Sequence, residues 1–284
     1  MKKLSLILAA VMLLALFVPA MSITSVADDT AVEAQVTDAN GTTTQYATVA
    51  AAVEAATDGC TITVLVDEVV IDDTLYLCGN GVTFDGGNAT FRFFGLPGAA
   101  LFAVAGGVEK DAEGKNLYYT GTDEAIANLE VGKVTIKNVY FEPTLDIAED
   151  GDFKSFMVDV YNKVEVTLEN MYGECLNAIN VQIARGADAT VNILSGSYIS
   201  HLAHNCPVSV TNGNTLNVYG GYYQIRLNEV AGEQGRCISA GGEGTTVNIY
   251  GGVFVSNTYK DCFTPRSSAV GNIYGGTYIN AWFK

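Results

Sequence analysis

Thr190-Val-Asn-Ile-Leu-Ser-Gly-Ser-Tyr198 returns three more times in this 284-residue chain: as Thr215-Leu-Asn-Val-Tyr-Gly-Gly-Tyr-Tyr223, as Thr246-Val-Asn-Ile-Tyr-Gly-Gly-Val-Phe254 and as Val270-Gly-Asn-Ile-Tyr-Gly-Gly-Thr-Tyr278. The repeated asparagine falls at 192, 217, 248 and 272, in steps of 25, 31 and 24 residues. Self-similarity on this scale marks a solenoid, in which each repeat buries its apolar side only by stacking on its neighbours. Polar and apolar residues alternate within each copy, which is the period of a strand. Val191 and Ile193 therefore face one side, and Thr190 and Asn192 the other. The apolar spacing of helical repeats and the leucine framework of leucine-rich repeats are both absent.

Weaker copies lie upstream, at Val82-Thr-Phe-Asp-Gly86, Val134-Thr-Ile-Lys-Asn138 and Val166-Thr-Leu-Glu-Asn170. Aligned with the later copies, one turn position holds Gly86, Asn138, Asn170, Ser195, Gly220, Gly251 and Gly275. Glycine and asparagine enter the left-handed backbone region most cheaply, so this position is expected to be left-handed. A step of about 25 residues accommodates three short strands and three turns, with strands of successive turns roughly 4.8 Å apart. The fold predicted is all-β, a single-stranded parallel β-helix. Three inward ladders follow: Val191, Leu216 and Val247, broken by Gly271; Ile193, Val218, Ile249 and Ile273; and the aromatic row Tyr198, Tyr223, Phe254 and Tyr278.

These segments, Val134-Thr-Ile-Lys-Asn-Val-Tyr-Phe141 and Val82-Thr-Phe-Asp-Gly-Gly-Asn-Ala-Thr-Phe91 with the Gly-Gly phrases, resemble the right-handed parallel β-helix, or pectin-lyase-like, superfamily. More narrowly, the chain looks like secreted β-helix proteins of Gram-positive bacteria. The resemblance spans roughly residues 45–284 and implies a right-handed solenoid and an association with polysaccharides. Pectate lyases of that superfamily carry acidic metal-ligand and arginine motifs, and its polygalacturonase-like hydrolases carry paired aspartates with a His-Gly. Neither set is present, and His201 and His204 lack the following glycine, so no catalytic residue carries over.

Residues 1–27 read as a secretory signal: Lys2 and Lys3, an apolar run Leu4–Phe17, then small residues, with cleavage after Ser25-Val26-Ala27 or, alternatively, Val18-Pro19-Ala20. The expected location is secreted, extracellular or at the cell surface, with no membrane insertion after signal removal. Without Lys2 and Lys3 the chain has 13 basic against 31 acidic residues, a formal charge of −18. That balance repels nucleic acid and anionic membranes and attracts cations such as Ca²⁺. No cofactor is called for. The acidic turn Asp146-Ile-Ala-Glu-Asp-Gly-Asp152 departs from the EF-hand pattern at Ala148 and Met157, and reads as a solvated loop.

Residues 28–60 are expected to form an entry cap, and residues 61–284 the solenoid. Ala31–Tyr46 reads as a hairpin turning at Asn40-Gly41. Thr48–Ala56 reads as a helix with Thr48 as N-cap, Asp58-Gly59 as its end, and Val49, Ala52, Val53 and Ala56 lying over the first repeat. Thr61–Val66, Leu75–Leu77 and Leu101–Val104 are expected strands, and Gly106–Gly132 a long insertion holding Tyr118 and Tyr119. Nothing recognisable closes the far end unless Trp282 and Phe283 fold over it, which leaves an edge suited to self-association. Cys206, Cys237 and Cys262 precede their repeat asparagines by 11, 11 and 10 residues and are expected to stack in one inward ladder. Cys60 and Cys78 are the better candidates for a disulfide. No cysteine pair has zinc-site spacing.

Two surfaces are candidate sites. The first is the outward face of the repeated strand, where Asn192, Asn217, Asn248 and Asn272 form one row and Tyr219, Tyr250 and Tyr274 the next. Amides beside aromatic rings suit sugars, although the same rows would also serve simply to hold neighbouring repeats together. The second is a rim of variable turns carrying His201, His204, Arg226, Glu229, Glu233, Arg236, Lys260, Asp261 and Arg266. Glu229, Glu233 or Asp261 offers the paired carboxyls that glycoside hydrolysis needs, and Arg226 or Arg236 with Ca²⁺ offers the charge neutralisation that a uronate lyase needs. The leading expectation is a non-catalytic module that binds polysaccharide or cell-surface glycan through Tyr219, Tyr250, Tyr274, Asn217, Asn248, Arg226, Glu229 and Glu233. The alternatives are a polysaccharide lyase or glycoside hydrolase using the rim, and a structural or adhesive surface protein.

Overall fold

The computed structural model describes residues 31–95, 98–106, 130–143, 155–175, 180–183, 186, 188–201, 206–226, 235–257 and 261–280, with the backbone of 109–110 and 116–117. The expected hairpin is present: Ala34–Thr37 pairs antiparallel with Thr43–Tyr46. Asp38 Oδ1 accepts the backbone N–H groups of Asn40 and Thr42, both at 2.8 Å, which ties the turn. Val49–Glu54 is helical, and the Thr48 hydroxyl accepts the Ala51 N–H at 3.1 Å. That bond satisfies one of the N–H groups a helix start leaves over. The helix buries Val49, Ala52 and Val53 against the hairpin and the first strands. Ala34–Thr37 also pairs antiparallel with Thr61–Val64, so the hairpin covers the edge of the first parallel strand.

Apart from that contact with the hairpin, every pairing among the described strands from Thr61 onward in the two main sheets is parallel. The larger sheet runs through Asn80–Phe93, Gly132–Pro143 and Val164–Cys175, then Thr190–Ile193, Thr215–Val218, Thr246–Ile249 and Val270–Ile273. A second column branches from Val164–Cys175 and runs through Gly196–Ser200, Tyr222–Ile225, Val253–Ser256 and Thr277–Asn280. The smaller sheet runs from Leu75–Cys78 through Ala100–Ala105, Phe156–Val160, Val181–Ile183, Val208–Val210 and Ile238–Gly241 to Phe263–Arg266. The later repeats thus follow the same route: a strand, a turn of two or three residues, a second strand, a connection, and a strand in the other sheet.

The core lies between these columns, on the inward side of each alternation. Val191, Leu216 and Val247 are buried, as are Ile193, Val218 and Ile249. Each such side chain contributes about 1.5–3 kcal/mol of hydrophobic stabilisation. Tyr198, Tyr223 and Phe254 stack with centroids 5.2 and 4.8 Å apart. The buried tyrosine hydroxyls donate to turn carbonyls, Tyr198 to Ser195 at 3.2 Å and Tyr223 to Gly220 at 2.9 Å. The ladders do not stay buried to their last members. Ile273 is 56% exposed and Tyr278 38%, against 0% for Ile249 and Phe254 one repeat earlier, because no described residue stacks on the final rung.

The left-handed residue is not where the alignment put it in most repeats. Asn138 and Asn170 hold it, at φ 58° and 51°, and there the strand runs through the turn unbroken. In the later repeats it moves one residue on, to Gly196, Gly221, Gly252 and Gly276, and near the start to Gly87. The Gly251-Gly252 pair shows why two glycines are used. A Cβ on Gly251 would sit 2.5 Å from the Tyr219 carbonyl oxygen, and Gly252 has φ 111°. Close approach demands the first glycine and backbone conformation the second.

The cysteine ladder is shorter than expected. Ile238 pairs with both Val208 and Phe263, which sets Cys237 beside Cys262 but beside Pro207, not Cys206. The turn between Ala240 and Thr246 is one residue longer than that between Val210 and Thr215, so equal counts from the asparagine do not mean equal register. Cys60 and Cys78 do not form the expected disulfide: one precedes a strand of the larger sheet, and the other ends a strand of the smaller.

Candidate functional site

The outward asparagines form a continuous hydrogen-bonded ladder. Asn272 donates to Asn248, Asn248 to Asn217 and Asn217 to Asn192, each at 2.9 Å, and Asn192 donates to Glu165 at 3.2 Å. A primary amide carries both donor and acceptor, so identical side chains can repeat without limit, and a carboxylate closes the end that needs only an acceptor. A second ladder runs through the turns: Ser195 donates to Asn170, Asn170 to Asn138 and Asn138 to Asp85, at 3.0, 3.1 and 2.9 Å. Lys137 lies 3.2 Å from Asp85. Burial raises the Asp85 pKa, but the Asn138 amide, the Gly87 N–H and Lys137 together outweigh it and hold the carboxyl below its ordinary 3.8.

Tyr219, Tyr250 and Tyr274 form the expected row, with successive centroids 5.0 Å apart and rings 9° from parallel. Their faces lie against one another. What they offer outward is edges and hydroxyls, apart from the terminal ring of Tyr274, which is 66% exposed.

The adjoining column of the same sheet holds a different arrangement, which reading the repeats from the sequence passed over. Register places Thr90, Tyr140, Tyr172, Ser197 and Tyr222 side by side on one outward row. Tyr140 and Tyr172 stack at 4.5 Å and 9°. The next rung is Ser197, so the far face of Tyr172 is followed by a small side chain instead of another ring. Two residues further along, on the same face, come Glu142 and Glu174. An open cavity of about 310 Å³ lies here, lined by Tyr140, Tyr172, Glu142, Glu174, Ser197 and Ile199 among others. Both carboxylates have an arginine partner in a half-exposed ion pair. Arg92 Nε is 3.4 Å from Glu142, and its other end is 3.3 Å from Glu68. Glu174 Oε1 lies 2.6 Å from His201 Nε2 and 2.7 Å from Arg226 Nη1, while Arg226 Nε donates to Gln224 at 2.8 Å. The sequence signal was available: Tyr140 and Tyr172 each lie two residues after a turn asparagine, and Glu142 and Glu174 four after.

The expected rim separates into two groups. His201 and Arg226 join the groove through Glu174. Arg236, Asp261 and Arg266 instead gather at the smaller sheet, where Arg266 donates to Ser239 at 2.9 Å. Burial, then the Arg266 charge, lowers the Arg236 pKa, with Asp261 opposing. The Cys206 thiol sits among Ser209, Ser239 and these arginines, and burial pushes its pKa up to about 12. Glu229, Glu233, His204, Lys260, Trp282, Phe283, Tyr118, Tyr119 and the acidic turn 146–152 lie outside the described residues. Among the described residues no group of three or more His, Cys, Asp or Glu side chains is arranged to hold a metal ion, and no helix is long and apolar enough to cross a membrane. Comparison with family models, curated proteins and solved structures finds no match to this chain.

Proposed function

We propose that the chain is a right-handed parallel β-helix, exported from a bacterial cell, that binds a neutral polysaccharide without cleaving it. The repeated route of strand, turn, strand and strand, with parallel register kept from Thr61 to Asn280, supports the helical winding. The observation that carries the binding reading is the open cavity of about 310 Å³ at Tyr140, Tyr172, Glu142 and Glu174. A stacked tyrosine pair ending at a serine gives the apolar face of a sugar ring a flat platform. Carboxylates beside Arg92, His201 and Arg226 accept hydrogen bonds from sugar hydroxyls. Two carboxylates on a chain of formal charge −18 disfavour uronates and sulfated glycans, which leaves neutral sugars as the class that fits.

A second reading keeps the glycan on the Tyr219–Tyr250–Tyr274 row beside Asn217 and Asn248, with the strongly exposed Tyr274 as its supporting observation. Incubating the mature protein with a broad polysaccharide panel, with Ca²⁺ and with chelator, tests the class and the absence of cleavage together. Retention on neutral glycans with unshortened chains is expected. Shortened chains would mean an enzyme, and no retention across the panel would leave a structural or adhesive role.

A further inference from the structure

With Cys206 out of the ladder, Cys237 and Cys262 remain as two thiols on successive rungs. Their strands are in register through Ile238 and Phe263, and the Cys262 carbonyl accepts both the Cys237 N–H at 2.9 Å and the Ile238 N–H at 3.2 Å. The side chains point the same way. Cys237 Sγ donates to the Val255 carbonyl at 3.3 Å and Cys262 Sγ to the Phe254 carbonyl at 3.4 Å, the neighbouring residue of one strand. Adjacent parallel strands hold paired Cα atoms roughly 4.8 Å apart, inside the range a disulfide spans.

We propose that Cys237 and Cys262 are a redox pair that closes into a disulfide between two successive repeats when the chain meets a small-molecule disulfide. The neighbouring Cys237 thiol pulls the Cys262 pKa below the ordinary 9.0, with burial opposing, and Cys262 in turn pushes Cys237 up. Cys262 is 5% exposed and Cys237 0%, so Cys262 is the sulfur that an oxidant reaches and the one that attacks. It also has the thinner cover: its Sγ reaches the Ile279 carbonyl at 3.5 Å, on the last described strand, where Ile279 is exposed. The Cys262 thiolate attacks one sulfur of the oxidant, its S–S bond breaks, and one thiolate leaves. Cys237 then loses its proton and attacks the Cys262 sulfur of the mixed disulfide, expelling the second thiolate. The protein dithiol is oxidised by one electron pair. The oxidant is reduced to two thiols, which take up the two protons.

The test incubates the full mature chain with oxidised glutathione, quenches with acid, alkylates under denaturing conditions and digests without reduction. The expected result is a cross-linked peptide pair joining Cys237 to Cys262, a protein about 2 Da lighter through loss of two hydrogens, and a higher melting temperature that reductant reverses. Cys262→Ser and, separately, Cys237→Ala should each abolish the link and the rise in melting temperature. Recovery of both cysteines as alkylated thiols, as stable glutathione adducts, or linked to any other cysteine would overturn the proposal.

Discussion

The ring of Tyr250 lies 5.0 Å from that of Tyr219 and is inclined to it by only 9°. Tyr274 covers the opposite face at the same spacing. A ring sandwiched in this way holds three successive repeats together and offers a ligand only its edge. Tyr250→Ala is therefore expected to cost about 1–2 kcal/mol of stability through two lost stacking contacts. Equilibrium urea denaturation measures it.

The asparagine ladder makes a similar claim about Asn217, which both donates and accepts at 2.9 Å. Asn217→Ala is expected to destabilise by about 1–3 kcal/mol, because both neighbouring amides lose a partner. Asn217→Asp should be at least as damaging, since an acceptor would then face the Asn192 oxygen. The same denaturation series separates the two variants.

Ile249 and Ile273 occupy one ladder, 0% and 56% exposed. Ile249→Asn is expected to cost about 3–5 kcal/mol, from lost apolar burial and an amide left without water. Ile273→Asn should change stability by less than about 1 kcal/mol, as surface substitutions do. Thermal melts of the two variants check the assignment of inner and outer faces directly.

Acid should loosen the turn ladder at its carboxylate end. The Asp85 carboxyl is held below its ordinary 3.8, so the folded chain favours the charged form. The stability this supplies is complete above 3.8 and is lost as the pH falls through the lower folded value. Asp85→Asn should therefore flatten the fall in melting temperature below about pH 4, where the Asp85 carboxyl takes up its proton, and leave the profile above it unchanged. An unchanged pH profile would mean that Asp85 does not anchor the ladder.

The parts of this structure set by two-residue alternation were legible in the sequence. Val191, Leu216 and Val247 could be placed inward and Asn192, Asn217 and Asn248 outward because period alone decides the face. The hairpin at Asn40-Gly41 and the Thr48 cap were readable from local chemistry. Register between repeats was not, since a turn longer by one residue shifts everything before it. That is how Cys206 was counted into a ladder it does not join. The left-handed residue was placed one position early for a related reason: a glycine required by a neighbouring carbonyl looks, in sequence, the same as one required by its own φ. The groove at Tyr140 and Tyr172 arises where an aromatic row stops at Ser197, and an interruption is harder to see in a repeat than its continuation.

The most direct test of the binding account is calorimetric titration of wild type, Tyr172→Ala and Tyr250→Ala with an oligosaccharide of whichever neutral glycan is retained. The account predicts at least a tenfold loss of affinity for Tyr172→Ala, about 1.4 kcal/mol, and an affinity close to wild type for Tyr250→Ala. Undiminished binding by Tyr172→Ala, with the loss falling on Tyr250→Ala, would contradict it and move the glycan to the outer tyrosine row.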